Sequence, residues 1–158
     1  MSTHANIVMP YGQFVIYKHF DGYPKSILPP LVRCVAESSI FLRKRTDDEK
    51  SLMFRGSEED LLEEMGFLVT RIITQFAVLD YMMRSSTGIK FEPRDISGIV
   101  SPTKICTAED MSATYTYRIQ KNGDILVCSY KGEFRVPYKS DLSGVLDQLV
   151  LAAEEDPD

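Results

Sequence analysis

The apolar positions of this chain change period several times, and each change predicts an element. Ala5-Asn6-Ile7-Val8-Met9 and Phe14-Val15-Ile16-Tyr17-Lys18-His19 are short, mostly apolar runs on either side of Pro10-Tyr11-Gly12-Gln13. Pro and Gly between them supply turn chemistry, so the runs predict a hairpin with Met9 opposite Phe14. Apolar residues fall on both faces of both runs. That predicts strands covered on two sides or lying in the middle of a sheet. Asp21-Gly22 and Pro24 end the second run.

The period then lengthens. A helix is expected between Ser26 and Leu42, with Leu31 and Val35 as a partial stripe and Pro29-Pro30 in its first turn, where a missing N–H costs little. Lys44 to Gly56 is charged and reads as a loop. Ser57-Glu58-Glu59-Asp60 resembles a capping box with Asp in the last place, and its acidic first turn suits the positive end of a helix dipole. The helix it opens carries Leu62, Met65, Val69, Ile72, Phe76, Leu79 and Met83 on one face. Leu61, Leu68 and Ile73 widen that stripe, and Gly88 reads as its stop signal. A wide stripe suits packing on a sheet. The sharper alternative is a homodimer seam through Leu62, Met65, Val69, Ile72 and Phe76, whose spacing is also heptad-like. Width favours the core reading. Arg71, Gln75 and Asp80 interrupt the apolar run, so no membrane span is expected there. Ile89 to Asp110 is irregular, with a short strand expected at Lys90 to Glu92 and with Ile96, Ile99, Val100 and Ile105 expected to pin it to the core.

Strict alternation returns at Tyr115, Tyr117 and Ile119. Asn122-Gly123 is a strong hairpin signal. As a two-residue loop it places Ile119 opposite Leu126, Tyr117 opposite Cys128 and Tyr115 opposite Tyr130. A three-residue loop at Lys131-Gly132-Glu133 then brings Phe134 opposite Tyr130 and Val136 opposite Cys128. Pro137 cannot donate to a ladder, which makes this strand an edge. Ser140 or Asp141 can cap a last helix on Leu142, Val145, Leu146, Leu149 and Val150. The order is therefore β-β-α-α-β-β-β-α: one α+β domain over residues 1–153, with about five mainly antiparallel strands and helices packed on one face. An acidic disordered tail at 154–158 follows. The absence of βαβ alternation weighs against a Rossmann-type fold.

Composition narrows the function classes. Among 158 residues, 18 Lys+Arg stand against 23 Asp+Glu, a net charge of -5 that argues against general nucleic-acid binding. Acidic runs at Asp47-Asp48-Glu49, Glu58-Glu59-Asp60 with Glu63-Glu64, and Glu154-Glu155-Asp156 read as solvated faces, or as a phosphate-like array for a basic partner. Cys34, Cys106 and Cys128 are odd in number and widely spaced. They write neither a zinc ribbon nor a dithiol redox site, and a reducing compartment fits them. Cys34 and Cys128 fall inside apolar patterns and read as small buried side chains. Residues 1–5 lack a basic start followed by an apolar run, so no leader is expected, and the cytoplasm, of this cell or of a host, is the expected location.

No phosphate loop, dinucleotide fingerprint, nucleophile elbow or HExxH is written, and no cofactor or metal is expected. One constellation stands out: Tyr17-Lys18-His19-Phe20-Asp21-Gly22-Tyr23-Pro24. Imidazole beside carboxylate is suited to proton transfer near neutral pH, and Lys18 to holding a phosphate or carboxylate. Lys18, His19, Asp21 and Tyr23 are thus the candidate binding residues. The plainer reading is a turn made by Asp21-Gly22, with Pro24 setting the exit and the aromatic residues packing. Arg33, Arg55, Arg94 and Arg118 are candidate donors from elsewhere in the chain.

Thr3-His4-Ala5-Asn6-Ile7 followed by this segment resembles a family of small proteins of bacteria, phages and archaeal viruses. Those proteins open with a Thr-Arg-Ala-like strand and continue with a Tyr-Arg-His-x-Asp-Gly-Tyr-Pro-like segment, a helix and a Tyr-rich strand. Thr114-Tyr115-Thr116-Tyr117-Arg118-Ile119 stands in a comparable place. His4 takes the place of the family's Arg, and Lys25-Ser26 that of its Gly-rich continuation. The family has no assigned activity, so the resemblance implies a mobile-element or viral origin rather than a reaction. Gln at the place of His19 in some members argues against an essential imidazole.

Missing catalytic motifs, the acidic balance and this resemblance lead to one expectation: a non-enzymatic accessory protein, viral or prophage-like, that binds a host macromolecule, with a protein as partner. The alternative is a small enzyme or ligand-binding domain around Lys18, His19, Asp21 and Tyr23. That alternative requires a concave pocket beside the Asp21-Gly22 turn.

Overall fold

The computed structural model describes residues 3–12, 14–19, 21–42, 58–86, 88 and 103–142. Two antiparallel strands, β1 (Ala5–Val8) and β2 (Val15–Lys18), come first, joined by a single helical turn at Pro10–Gly12. Helices α1 (Pro24–Glu37), α2 (Ser39–Leu42) and α3 (Glu58–Ser86) follow, then strands β3 (Thr103–Cys106), β4 (Tyr115–Ile119), β5 (Ile125–Ser129) and β6 (Gly132–Val136). The strands form one sheet in the order β3-β2-β1-β4-β5-β6. Every neighbouring pair is antiparallel except β1 with β4, which run parallel.

The fold is thus α+β with a mixed, mostly antiparallel sheet. The first hairpin closes as expected, with the Met9 N–H donating to the Phe14 carbonyl at 3.0 Å. β1 and β2 are interior strands, which explains why both of their faces are apolar. On one face Ala5, Ile7, Ile16, Tyr117, Ile119, Ile125, Val127 and Val136 are buried. They join Ile27, Leu28, Leu31 and Val35 of α1 and Met65, Leu68, Ile72 and Phe76 of α3 in one core. Each fully buried Leu or Ile contributes about 1.5–3 kcal/mol, so this layer contact dominates stability. Four of the five proposed seam residues, Met65, Val69, Ile72 and Phe76, lie in that core, and Leu62 is left at the surface. By length and composition alone, Leu62–Met82 is long and apolar enough to cross a membrane. Gly88 takes a positive φ of 79° just past the last turn, as a stop signal should.

Several expectations are corrected. The sheet has six strands among the described residues, where about five were expected. β3 falls in the segment expected to be irregular, and its Ile105 is 55% exposed rather than in the core, because β3 is an edge strand with only β2 beside it. Pro24, not Pro29-Pro30, fills the first turn of α1. Tyr23 is extended, and its carbonyl receives the N–H groups of Ser26 and Ile27, so the helix starts earlier. Pro29 and Pro30 therefore stand inside the helix, at a cost of about 3 kcal/mol each in an isolated helix. Burial of Pro30 and its neighbours in the core offsets this.

Both C-terminal registers also shift. Lys121-Asn122-Gly123 is a three-residue loop, closed by the Gln120 N–H on the Asp124 carbonyl at 2.7 Å, with Gly123 at φ 91°. Ile119 therefore faces Ile125 and Tyr117 faces Val127, one residue from the expected partners. Ser129 then pairs with Gly132, which leaves Tyr130-Lys131 as a two-residue turn. Phe134 faces Val127 and Val136 faces Ile125. β6 is an edge that ends just before Pro137, as expected. The Lys44–Gly56 loop, the Ser57 cap, the Lys90–Glu92 strand, the last helix beyond Leu142 and the acidic tail lie outside the described residues.

Candidate functional site

The Asp-Gly-Tyr-Pro turn is fixed from three directions. Asp21 adopts a left-handed φ of 55°. The Gly22 N–H donates to the Thr3 carbonyl at 2.8 Å, and its own carbonyl accepts from the buried Tyr117 hydroxyl at 2.6 Å. A Cβ at Gly22 would stand 2.7 Å from the Thr3 oxygen and 2.8 Å from the Ala5 Cβ, so only glycine fits. Burial pushes the Tyr117 phenol well above its ordinary range, with Tyr115 adding to the effect, so the hydroxyl remains a donor. The turn thereby ties the end of β2 to the start of β1, to β4 and to the start of α1.

Beside this turn a cleft of about 490 Å³ opens between α1, α3 and the end of β2. α1 contributes Lys25, Ser26, Pro29, Pro30 and Arg33, a single helical face. α3 contributes Gln75, Phe76, Leu79, Asp80 and Met82, and the strand end adds Lys18 and Asp21. The volume falls within the roughly 300–1,000 Å³ of small-molecule sites. Pro29 and Pro30 have no N–H, so the carbonyls of Lys25 and Ser26 receive no bond from four residues on.

Lys18 is the unusual member. It pairs with Ala5 in the sheet and so points toward the helices. Its side chain is 4% exposed, yet its ammonium has one acceptor among the described residues, Asp80 Oδ2 at 3.5 Å. That distance is the outer limit of a hydrogen bond. The Phe76 ring lies 5.0 Å from Nζ and adds a cation–π contact. An ammonium carries three donors, and a buried charge is costly unless its donors are met. Two donors of Lys18 therefore have no protein acceptor among these residues.

The opposite sheet face holds a second polar cluster. The Tyr17 hydroxyl lies 3.0 Å from His4 Nδ1 and 2.9 Å from His19 Nδ1, with the imidazole centroids 4.2 Å apart. A phenol can donate to one ring and accept from the other, so complementary tautomers satisfy both bonds. Burial, then the nearby Asp110 and Cys106, push the Tyr17 phenol up. Asn6 exchanges two hydrogen bonds with the Asp110 backbone, at 2.9 and 3.0 Å, which pins a loop over this face. Hydrogen bonds from the Ser112 hydroxyl and N–H hold the Asp110 carboxyl below its usual range, with Lys104 and His4 helping. Among the described residues no cluster of His, Cys, Asp and Glu is arranged to hold a metal.

The four candidate residues are thus separated. Lys18 and Asp21 meet in the cleft. His19 faces away from it, bonded to Tyr17, and Tyr23 stands at the start of α1 with its ring 6.3 Å from that of Tyr115. Arg33 joins the cleft, whereas Arg118 is on the other face, 2.6 Å from Glu109. Arg55 and Arg94 lie outside the described residues. Neither Phe76, expected in the α3 stripe or a dimer seam, nor Asp80, a polar break in that helix, carried a sign of a ligand site in the sequence. No protein-family model matches this chain, and neither does any curated protein or solved structure.

Proposed function

We propose that the protein is a small-ligand-binding domain whose cleft receives an anionic group on Lys18. One observation carries this reading: a buried ammonium that meets a single acceptor among the described residues, at 3.5 Å, forms part of the wall of a cleft of ligand size. Lys25 and Arg33 add positive charge around it, and Pro29, Pro30, Phe76, Leu79 and Met82 offer apolar surface for a ligand body. Apolar walls with a few placed polar groups are the ordinary composition of such sites. The test is calorimetric titration with small aromatic and aliphatic carboxylates and with inorganic phosphate, repeated on Lys18→Met. Saturable binding that the substitution abolishes supports the reading, and binding unchanged in Lys18→Met contradicts it.

A macromolecular partner is the second reading, favoured by the outer face of α3. Phe67 is 56% exposed there, with Val78 and Tyr81 also at the surface. Exposed aromatic and Met side chains are enriched where proteins meet. The accessory role toward a host protein, in the cytoplasm of a host cell, would use this row. A homodimer along α3 would use it too, since the inner stripe is taken by the core. Phe67→Glu should abolish either association, read as mass in solution for the dimer.

A further inference from the structure

We infer that the ligand of the cleft is a zwitterion of the α-amino-acid class with an apolar side chain, seated in the cleft against both Lys18 and Asp80. The inference rests on the small-ligand reading above and deepens it. The Lys18–Asp80 contact is a loose pair: 3.5 Å long, with the ammonium side chain 4% exposed and the carboxylate side chain 24% exposed. A simple anion placed on Lys18 would lie beside the Asp80 carboxylate and be repelled by it. A simple cation placed on Asp80 would meet the same penalty from Lys18. A ligand carrying both charges on one carbon avoids each cost. Its carboxylate reaches Lys18, its ammonium reaches Asp80, and one long ion pair becomes two shorter charge-assisted hydrogen-bond contacts.

The rest of the cleft agrees. Its charged residues are mixed, with Lys18, Lys25 and Arg33 in the same lining as Asp21 and Asp80, as recognition of both signs requires. The Phe76 ring lies 5.0 Å from the Lys18 ammonium and forms part of the cleft wall. Pro29, Pro30, Leu79 and Met82 supply the surface that an aromatic or branched side chain would cover. Each buried methylene there is expected to add about fourfold in affinity, so leucine and phenylalanine should bind better than glycine.

Calorimetry on the full chain tests this with L-phenylalanine, L-leucine, 3-phenylpropionate, phenethylamine and inorganic phosphate. Both amino acids are expected to bind. 3-Phenylpropionate and phenethylamine, each lacking one charge, are expected to bind at least about tenfold more weakly than phenylalanine. In Asp80→Asn the advantage of phenylalanine over 3-phenylpropionate should fall to within about twofold, while Asp80→Glu should keep it. If Asp80→Asn does not fold, the wild-type ratio and the Asp80→Glu ratio still decide. 3-Phenylpropionate or phosphate binding as tightly as phenylalanine would overturn the zwitterion and leave the anion-binding reading standing. No binding by any of the five compounds would overturn both.

Discussion

Tyr17 and Lys18 are neighbours in one short strand, and their polar ends meet opposite fates. The Tyr17 hydroxyl sits between two imidazole nitrogens at hydrogen-bonding distance, beneath a loop that Asn6 holds in place. The Lys18 ammonium, turned to the other face by the alternation of the strand, has among the described residues one long contact with a carboxylate, the Phe76 ring nearby and an open cleft beside it. A network whose donors and acceptors are all met contributes rigidity. A buried charge that is only partly met costs free energy, and its retention points to a partner outside the chain. The difference teaches that burial alone does not separate structural polar groups from ligand-binding ones; the number of unmet donors does.

Substitutions can break this comparison, in order of expected effect. Gly22→Ala should be the most damaging, about 3 kcal/mol or more, because its Cβ meets backbone and Cβ atoms that cannot move aside. Chemical denaturation would measure it, and a loss below about 1 kcal/mol would mean the turn is softer than its geometry implies. Tyr17→Phe should cost about 1–3 kcal/mol by leaving two imidazole nitrogens without the bridging hydroxyl, with ligand affinity unchanged. Lys18→Met should do the reverse. Stability should stay within about 1 kcal/mol of wild type, since an apolar side chain replaces a poorly compensated charge, while ligand binding is lost. Equal effects of these two changes on binding would erase the distinction between the faces.

The smallest effect concerns pH. Burial pushes the Cys34 thiol up from 9.0 to about 11, with Glu37 adding to the rise. A raised folded-state value means that the native chain holds its proton longer than the unfolded chain. The Cys34 contribution is therefore complete below about pH 9 and is lost as pH climbs through about 11. Denaturation midpoints of wild type should decline over that window more steeply than those of Cys34→Ala. Parallel slopes would contradict the assignment.

How much of this was legible in the sequence follows from how sharply each segment distinguishes its two faces. The first hairpin was legible because Pro10 and Gly12 fix its turn, and the inner face of α3 because Met65, Val69, Ile72 and Phe76 share one period. The β4–β5 register was not, because Ile125-Leu126-Val127-Cys128 is apolar on both faces and alternation cannot choose between them. The three-residue loop Lys121-Asn122-Gly123 made that choice: Gly123 takes a positive φ there and Asn122 does not, whereas a two-residue type I′ turn needs a positive φ at both. β3 was hidden because an edge strand with Lys104 and Ile105 both exposed has no buried face to read. Within the site, the separation of Lys18 from His19 was readable in principle, since adjacent strand residues point oppositely. The arrival of Arg33 and Asp80 beside Lys18 was not, because it depends on how α1 and α3 pack.

The most direct test of the small-ligand reading is the side-chain nitrogen resonance of Lys18, assigned by its loss in Lys18→Met and followed by NMR as L-phenylalanine is added. The expected result is a saturable shift of that resonance, with the Tyr17 ring signals left in place. A Lys18 signal that stays fixed while the cleft residues Leu79 and Met82 respond would contradict the assignment of the ammonium as the group that receives the ligand.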